Sequence, residues 1–226
     1  MTTPIGPSDT YMPFITTIVF LWVRKNIQGW EKYHLFIYPF ISFVIFGTSN
    51  FLIFVLGVNN NLLLYHIFTW FEFIILSNYI IRHCNLEKIK WLSPTLAIGF
   101  TIFCGVDSFW LEPFKDRAFN SNAATISNLV LLFLCMYYIF EISKTDAILY
   151  FQKLPTFWII TGVLFSCAVT FLLLLKYRDY STNPEEYDMG DKLWVMMDIS
   201  YVVKFAFICV GLLCYKKPIT QKSQSP

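Results

Sequence analysis

Long apolar stretches separated by short polar connections dominate this chain. A helix rises about 1.5 Å per residue, so about 20 apolar residues are needed to cross a bilayer. On that scale we predict seven membrane-spanning helices, at roughly residues 10–23, 34–56, 61–81, 91–111, 121–141, 155–175 and 193–215. The first stretch is short and contains Pro13. Six full spans preceded by an interfacial N-terminal helix are therefore the alternative.

The connections between these stretches are short, which forces neighbouring helices to run antiparallel. The pattern predicts an all-α, polytopic transmembrane helical bundle that forms a single domain over residues 1–215. The longest connection, 176–192, is predicted to be an outer loop. The polar residues 216–226 are predicted to form a disordered cytoplasmic tail. With the N-terminus outside, most Lys and Arg residues in the loops and tail fall on the cytoplasmic side, so we expect an N-out, C-in orientation.

The composition agrees with a membrane location. Of the 226 residues, 56% are hydrophobic and 14% are charged, whereas soluble domains carry about 25% charged residues. The lipid bilayer is therefore the expected environment. The net charge of +2 includes no basic run longer than a pair, so we expect no nucleic-acid partner. The six cysteines form no CxxC pair and are expected to be free thiols.

One cation lies where the pattern otherwise excludes cations. Lys204 is the only one of the 17 Lys and Arg residues in the middle of a predicted span. It is eleven positions after residue 193, and Glu72 is eleven positions after residue 61, where another inward-running span begins. The two side chains are therefore expected at the same depth. Each alone would cost at least ~2.5–3.5 kcal/mol in a membrane, so we predict that they pair.

A second polar layer is predicted nearer the outer surface. Three further ionisable residues, His66, Asp107 and Asp198, fall in the outer third of their spans. Spacing of three places His66, Thr69 and Glu72 on one helix face, and Asp198, Tyr201 and Lys204 on another. We expect these residues, extended by Tyr65 and Asn128, to form a polar pocket with Glu72 and Lys204 as its floor.

Structural explanations remain open for the same residues. The Glu72–Lys204 pair could serve only to fix helix register. A hydrogen bond to Asp198 or to a backbone carbonyl would account for His66, and Asp107 could extend to the outer interface.

Motifs that mark catalysis or cofactor binding are absent. The sequence contains no GxxxxGK[ST], GxGxxG, HExxH, GxSxG or CxxC. A zinc site would require the bundle to bring His66, Asp107 and Asp198 together. We assign no catalytic residue, metal or cofactor, and enzymatic activity stays an open alternative.

Several short motifs resemble a family of small, uncharacterised bacterial seven-helix membrane proteins. They are Asn61, Tyr65-His66-Ile67-Phe68-Thr69, Glu72-Phe73, Phe119-Asn120-Ser121, Pro155, Phe157-Trp158-Ile159 and Gly162. The resemblance covers most of the chain and implies a seven-helix bundle in the bacterial inner (plasma) membrane. Members look like companions of sensor-kinase signalling, which implies a cytoplasmic or membrane signalling partner. Lys204 is not part of the pattern, so its pairing with Glu72 would be particular to this chain.

A second likeness is to microbial rhodopsins, in which a last-helix lysine carries a retinal Schiff base. Lys204 would take that role and Glu72 would be its counterion. However, the last-helix acid of rhodopsins lies four residues before the lysine, and Asp198 lies six before Lys204. The arginine-containing third-helix motif is also absent, so retinal is not expected.

These observations favour a receptor-like or sensory module that binds a small ligand from the outer side and signals through its cytoplasmic loops. A small proton-coupled transporter is the main alternative, with the same acids as proton relays. The paired broken helices of many carriers are not visible in the sequence. An intramembrane lipid-modifying enzyme is the third possibility.

Overall fold

A computed structural model of the chain describes residues 8–57, 62–84, 91–111, 121–182 and 187–215. These residues form seven α-helices and no strand, which confirms the predicted all-α fold. The helices are α1 (Ser8–Val23), α2 (Glu31–Phe54), α3 (Leu62–His83), α4 (Leu92–Val106), α5 (Ser121–Ser143), α6 (Pro155–Thr182) and α7 (Tyr187–Cys214). A π-helical turn, Asp107–Leu111, continues α4, and a 3₁₀ segment, Asp146–Lys153, connects α5 to α6.

Six of these helices, α2 to α7, are long and apolar enough to cross a membrane, with α4 and its π-helical turn counted as one span, Leu92–Leu111. The apolar part of α1, Thr10–Val23, is shorter than a full span. The prediction of a multi-pass helical bundle is confirmed at this level. The crossing of the bilayer by α1 and the N-out, C-in orientation of the chain stay predictions. The predicted tail, 216–226, lies outside the described residues.

The predicted outer loop at 176–192 is wrong for most of its length. Helix α6 continues to Thr182, and α7 already begins at Tyr187. The apolar pattern identifies where a helix can cross hydrocarbon, but it does not detect a helix that continues beyond the apolar region. Polar residues such as Lys and Arg favour helix as strongly as Leu does.

Two glycines allow α6 and α7 to pack closely. A Cβ atom on Gly162 would lie 2.6 Å from Cβ of Phe207 and 3.0 Å from the carbonyl oxygen of Lys204. A Cβ atom on Gly211 would lie 2.8 Å from the carbonyl oxygen of Pro155. Small residues at such contacts let two backbones approach each other inside a membrane. The close approach fixes the part of α7 that carries Lys204 against α6.

Large apolar side chains cover much of the outer surface of the bundle. Trp22, Phe54 and Leu172 are each more than 60% exposed. In the span Leu92–Leu111, only 11% of the most apolar 18-residue stretch is buried inside the protein. Apolar exposure on this scale is unusual for a soluble monomer, whereas lipid would cover it. The buried interior, by contrast, contains large side chains contributed by several helices, including Phe73, Ile80, Leu131, Ile160 and Leu212.

Candidate functional site

Glu72 and Lys204 form an ion pair in the interior of the bundle, as the matched depths predict. Nζ of Lys204 lies 2.5 Å from Oε1 of Glu72 and donates a hydrogen bond to it. Glu72 projects from α3 and Lys204 from α7. They are 8% and 2% exposed, respectively. Neither charge therefore faces the lipid, and the predicted pairing is confirmed.

Two tyrosines complete the surroundings of this carboxylate. Tyr38 on α2 donates to Oε1 of Glu72 over 2.7 Å, and Tyr201 on α7 donates to Oε2 over 3.4 Å. Both oxygens of Glu72 therefore accept hydrogen bonds. We call Tyr38, Glu72, Tyr201 and Lys204 the central cluster.

Aromatic rings also surround the ammonium group. Nζ of Lys204 lies 3.8 Å from the ring centroid of Tyr201, and 5.7 Å from the centroids of Tyr38 and Phe205. A cation near an aromatic face is attracted by the ring quadrupole, and more strongly where water is excluded. The rings of Tyr38 and Phe205 stack on each other, with centroids 5.6 Å apart. Lys204 is therefore held by one carboxylate and three aromatic rings.

A small cavity of about 30 Å³ adjoins the central cluster. Glu72, Thr69, Tyr201 and Asp198 line it, as the predicted pocket requires. The remaining lining residues are Phe46, Tyr65, Phe68, Ala124, Ser127, Asn128, Thr170, Leu174, Trp194 and Met197. A water molecule needs about 10–15 Å³ of such volume, so this space suits one or two waters or a small ion. The cavity therefore matches the predicted pocket only in part: Glu72 lines it but Lys204, the other half of the predicted floor, does not, and it is smaller than a metabolite would need.

Three of the predicted pocket residues, His66, Asp107 and Lys204, are not among the described residues that line this cavity. Nδ1 of His66 lies 3.1 Å from Oγ of Ser108, and Nδ2 of Asn122 donates to Oδ1 of Asp107 over 3.2 Å. These contacts connect α3 to the end of α4, and α4 to α5. The alternative that Asp107 extends to the outer interface is wrong, since Asp107 is completely buried.

The π-helical turn at the end of α4 helps to explain why Asp107 is buried and does not line the cavity. Asp107 is its first residue and Ser108 its second. A π-turn changes the direction in which successive side chains point, and a regular helical register does not anticipate it. Among the described residues, no three His, Cys, Asp or Glu side chains are grouped to hold a metal ion. The three-ligand set of His66, Asp107 and Asp198 is therefore not assembled.

Tyr38 was not predicted, and neither was a second polar group at the ends of the same helices, where α2 begins and α3 and α7 end. Glu31, at the start of α2, lies 3.4 Å from Nε2 of His83 and accepts a hydrogen bond from Tyr215 over 2.5 Å. The ring of Tyr79 packs against that of His83, with centroids 4.6 Å apart. Burial raises the pKa of the Tyr215 phenol well above its usual range, so it remains a donor. We call Glu31, Tyr79, His83 and Tyr215 the end cluster.

The fold and these contacts define the class: an all-α, multi-pass membrane protein with a charged, tyrosine-bound centre. Comparison of the chain with protein-family models, with curated proteins and with solved structures finds no match in any of the three. The resemblance to small bacterial seven-helix membrane proteins therefore stays a prediction, as does the inner-membrane location.

Proposed function

We propose that this protein is a receptor-like membrane module that binds a small ligand in the cavity beside Glu72. One observation carries the proposal: the cavity is lined by the same carboxylate that holds Lys204. A ligand that reaches Glu72 competes with Lys204 for its oxygens. Occupancy of the cavity would therefore alter the contact between α3 and α7.

The lining residues restrict the chemistry of this ligand. They offer two carboxylates, Glu72 and Asp198, the amide of Asn128, and several hydroxyl groups and aromatic faces. The described lining residues include no Lys or Arg. Carboxylates and aromatic faces both favour positive charge. Lys204 offsets the charge of Glu72, so Asp198 supplies most of the attraction for a small cation such as Na⁺ or ammonium, and such an ion also fits the volume of about 30 Å³.

A conformational response would pass through α7. This helix carries Tyr201 and Lys204, and it packs against α1 and α6. A ligand changes an equilibrium only if it binds one state more tightly than the other. The two states would differ in whether Lys204 is paired with Glu72, because an ammonium released into the apolar core must move or find another partner. A ligand that binds Glu72 would favour the state in which Lys204 is released. Entry from the outer side and a signalling partner on the cytoplasmic side belong to this proposal.

The thermal stability of the purified protein tests cation binding. We would measure Tm in NaCl, KCl and ammonium chloride, with N-methylglucamine chloride at equal ionic strength as the reference. The expected result is a higher Tm with one small cation, lost in Asp198→Asn. Glu141→Gln is the control, because Glu141 pairs with Lys144 on the surface and should leave the response unchanged. Equal Tm values in all four salts would contradict the proposal.

A proton-coupled transporter is the second candidate, favoured by the small size of the cavity and by its two acids. Liposomes containing the protein would distinguish the two functions. Uptake of a small solute into the liposomes that is driven by a proton gradient and lost in Glu72→Gln would favour transport and overturn the receptor proposal. A lipid-modifying enzyme instead predicts turnover of a lipid by the purified protein.

A retinal protein is less compatible with these dimensions. A cavity of about 30 Å³ is far smaller than a polyene chromophore, although Lys204 and Glu72 have the required types of side chain. Purified protein should therefore stay colourless when all-trans retinal is added.

A further inference from the structure

A groove between the end of α1 and the start of α2 has a different character from the central cavity. Its volume is about 310 Å³, roughly ten times larger. The residues that line it are Phe20, Leu21, Arg24, Lys32, Tyr33 and Phe36. Two of these side chains are cations, none is an acid, and the others are apolar or aromatic. The groove thus offers positive charge and hydrocarbon contact to one occupant.

We propose that this groove binds one anionic phospholipid. The phosphate would lie between Arg24 and Lys32, and an acyl chain would run along Phe20, Leu21 and Phe36. This inference is independent of the ligand proposed for the central cavity. A ligand that satisfies both parts of the groove needs an anionic head and an apolar tail, which is the composition of an acidic lipid.

The one acid next to these cations in sequence does not neutralise them. Glu31 precedes Lys32, but its two oxygens face His83 and Tyr215 in the end cluster. Arg24 and Lys32 are both exposed. Their charge is therefore available to a phosphate group at the surface of the bundle.

The surroundings of the groove are typical of a bilayer surface. Trp22 is 63% exposed and Tyr33 is 67% exposed. Trp and Tyr are enriched where hydrocarbon meets head groups. In the predicted N-out orientation, this end of α1 and α2 faces the cytoplasmic leaflet, where anionic lipids are concentrated.

Native mass spectrometry of the whole protein tests the proposal. Protein in detergent would be titrated with phosphatidylglycerol, with phosphatidylcholine of the same acyl chains, or with glycerol phosphate alone. We expect one phosphatidylglycerol to bind preferentially. Removing both cations in Arg24→Gln/Lys32→Gln should weaken that binding, by about fivefold for each cation. Lys25→Gln is the matched control, since Lys25 is adjacent to Arg24 but is not among the lining residues.

The outcomes separate lipid binding from simpler explanations. Equal binding of the two lipids, or unchanged binding in the double variant, would overturn the proposal. Binding of glycerol phosphate as tight as that of the lipid would also overturn it, because the apolar half of the groove would then contribute nothing. An equal loss in Lys25→Gln would indicate general attraction by surface charge instead of a defined site. The substituted residues are exposed, so the variants should fold, and the Tm of each in phosphatidylcholine checks this.

Discussion

The central cluster and the end cluster connect the same three parts of the chain in two different ways. Each places a carboxylate among groups from α2, from α3 and from α7 or the residue that follows it. In the centre, Glu72 is held by Lys204 and two tyrosines. At the end, Glu31 is held by Tyr215 and lies beside His83. Only the central carboxylate is paired with a lysine.

The difference follows from access to water. The side chains of Lys204 and Glu72 are 3% and 10% exposed, whereas those of His83 and Glu31 are 15% and 24% exposed. A charge in the apolar centre cannot be compensated by solvent, so it needs a charged partner. A partly exposed carboxylate at a helix end keeps some contact with water, and a tyrosine and a histidine are sufficient neighbours. The effects of mutations should therefore be larger in the central cluster.

Removal of the central cation is expected to have the largest effect. Lys204→Met leaves Glu72 as a buried charge without an opposite charge, and should lower the free energy of unfolding by about 3–5 kcal/mol. Unfolding in mixed detergent micelles, followed by loss of helical circular dichroism, would measure it.

A double-mutant cycle separates pairing from other effects of the same substitution. Glu72→Gln combined with Lys204→Met removes both charges, and it should recover much of the stability lost in Lys204→Met. If the double variant is as unstable as the sum of the two single variants, the two residues do not interact. The central cluster would then differ from the end cluster only in burial.

Loss of the hydroxyl group should cost more stability at Tyr38 than at Tyr201. Tyr38 donates to Glu72 over 2.7 Å, and Tyr201 does so over 3.4 Å. Hydrogen bonds to a charged group contribute about 1.5–3 kcal/mol, and they weaken as the distance increases. Tyr38→Phe should therefore destabilise the protein within that range in the same unfolding measurement, and Tyr201→Phe should cost less. An equal loss in both would contradict the geometry of the carboxylate.

Much of the fold and the charged pair were predictable because hydrocarbon imposes simple constraints. The lengths of the apolar stretches identified the helices. One lysine within such a stretch predicted an acid at equal depth, because an isolated charge there is costly. Thr69, Tyr201 and Asp198 line the cavity, as their spacing on the same helix faces as Glu72 and Lys204 predicts. These inferences needed only helical periodicity and the cost of an isolated charge.

The parts that were missed depend on features that apolar patterns do not contain. Tyr38 is near the start of its predicted span, and its depth alone does not match that of Glu72. Glu31 and Tyr215 lie at helix ends, where polar residues are common and give no signal. The burial of Asp107 accompanies a π-turn that a regular helical register does not anticipate. Contacts between helix ends depend on how the helices pack, which periodicity within one helix cannot specify.

The close approach of α6 and α7 should also matter for the central cluster. In Gly162→Ala, the added methyl group would meet Phe207 at 2.6 Å and the backbone of Lys204 at 3.0 Å. Overpacking of this kind costs about 1–3 kcal/mol, so Tm should fall. Gly99→Ala is the control: nothing lies within 4 Å of its added carbon, and alanine favours helix. A Tm equal to that of the parent protein in Gly162→Ala would mean that α7 can move without loss of stability.

The smallest effect is expected at the end cluster. Tyr215→Phe removes the hydrogen bond to Glu31, and should cost about 0.5–1.5 kcal/mol because water can partly replace the lost donor. The same unfolding measurement applies, with Glu141→Gln as the control for a surface ion pair worth about 0–1 kcal/mol. The decisive comparison is with Tyr38→Phe, which removes the same phenolic hydroxyl from the central carboxylate. If the two tyrosine variants lose equal stability, the helix end is as inaccessible to water as the middle of the bundle. Burial would then not explain why only the central carboxylate is paired with a lysine.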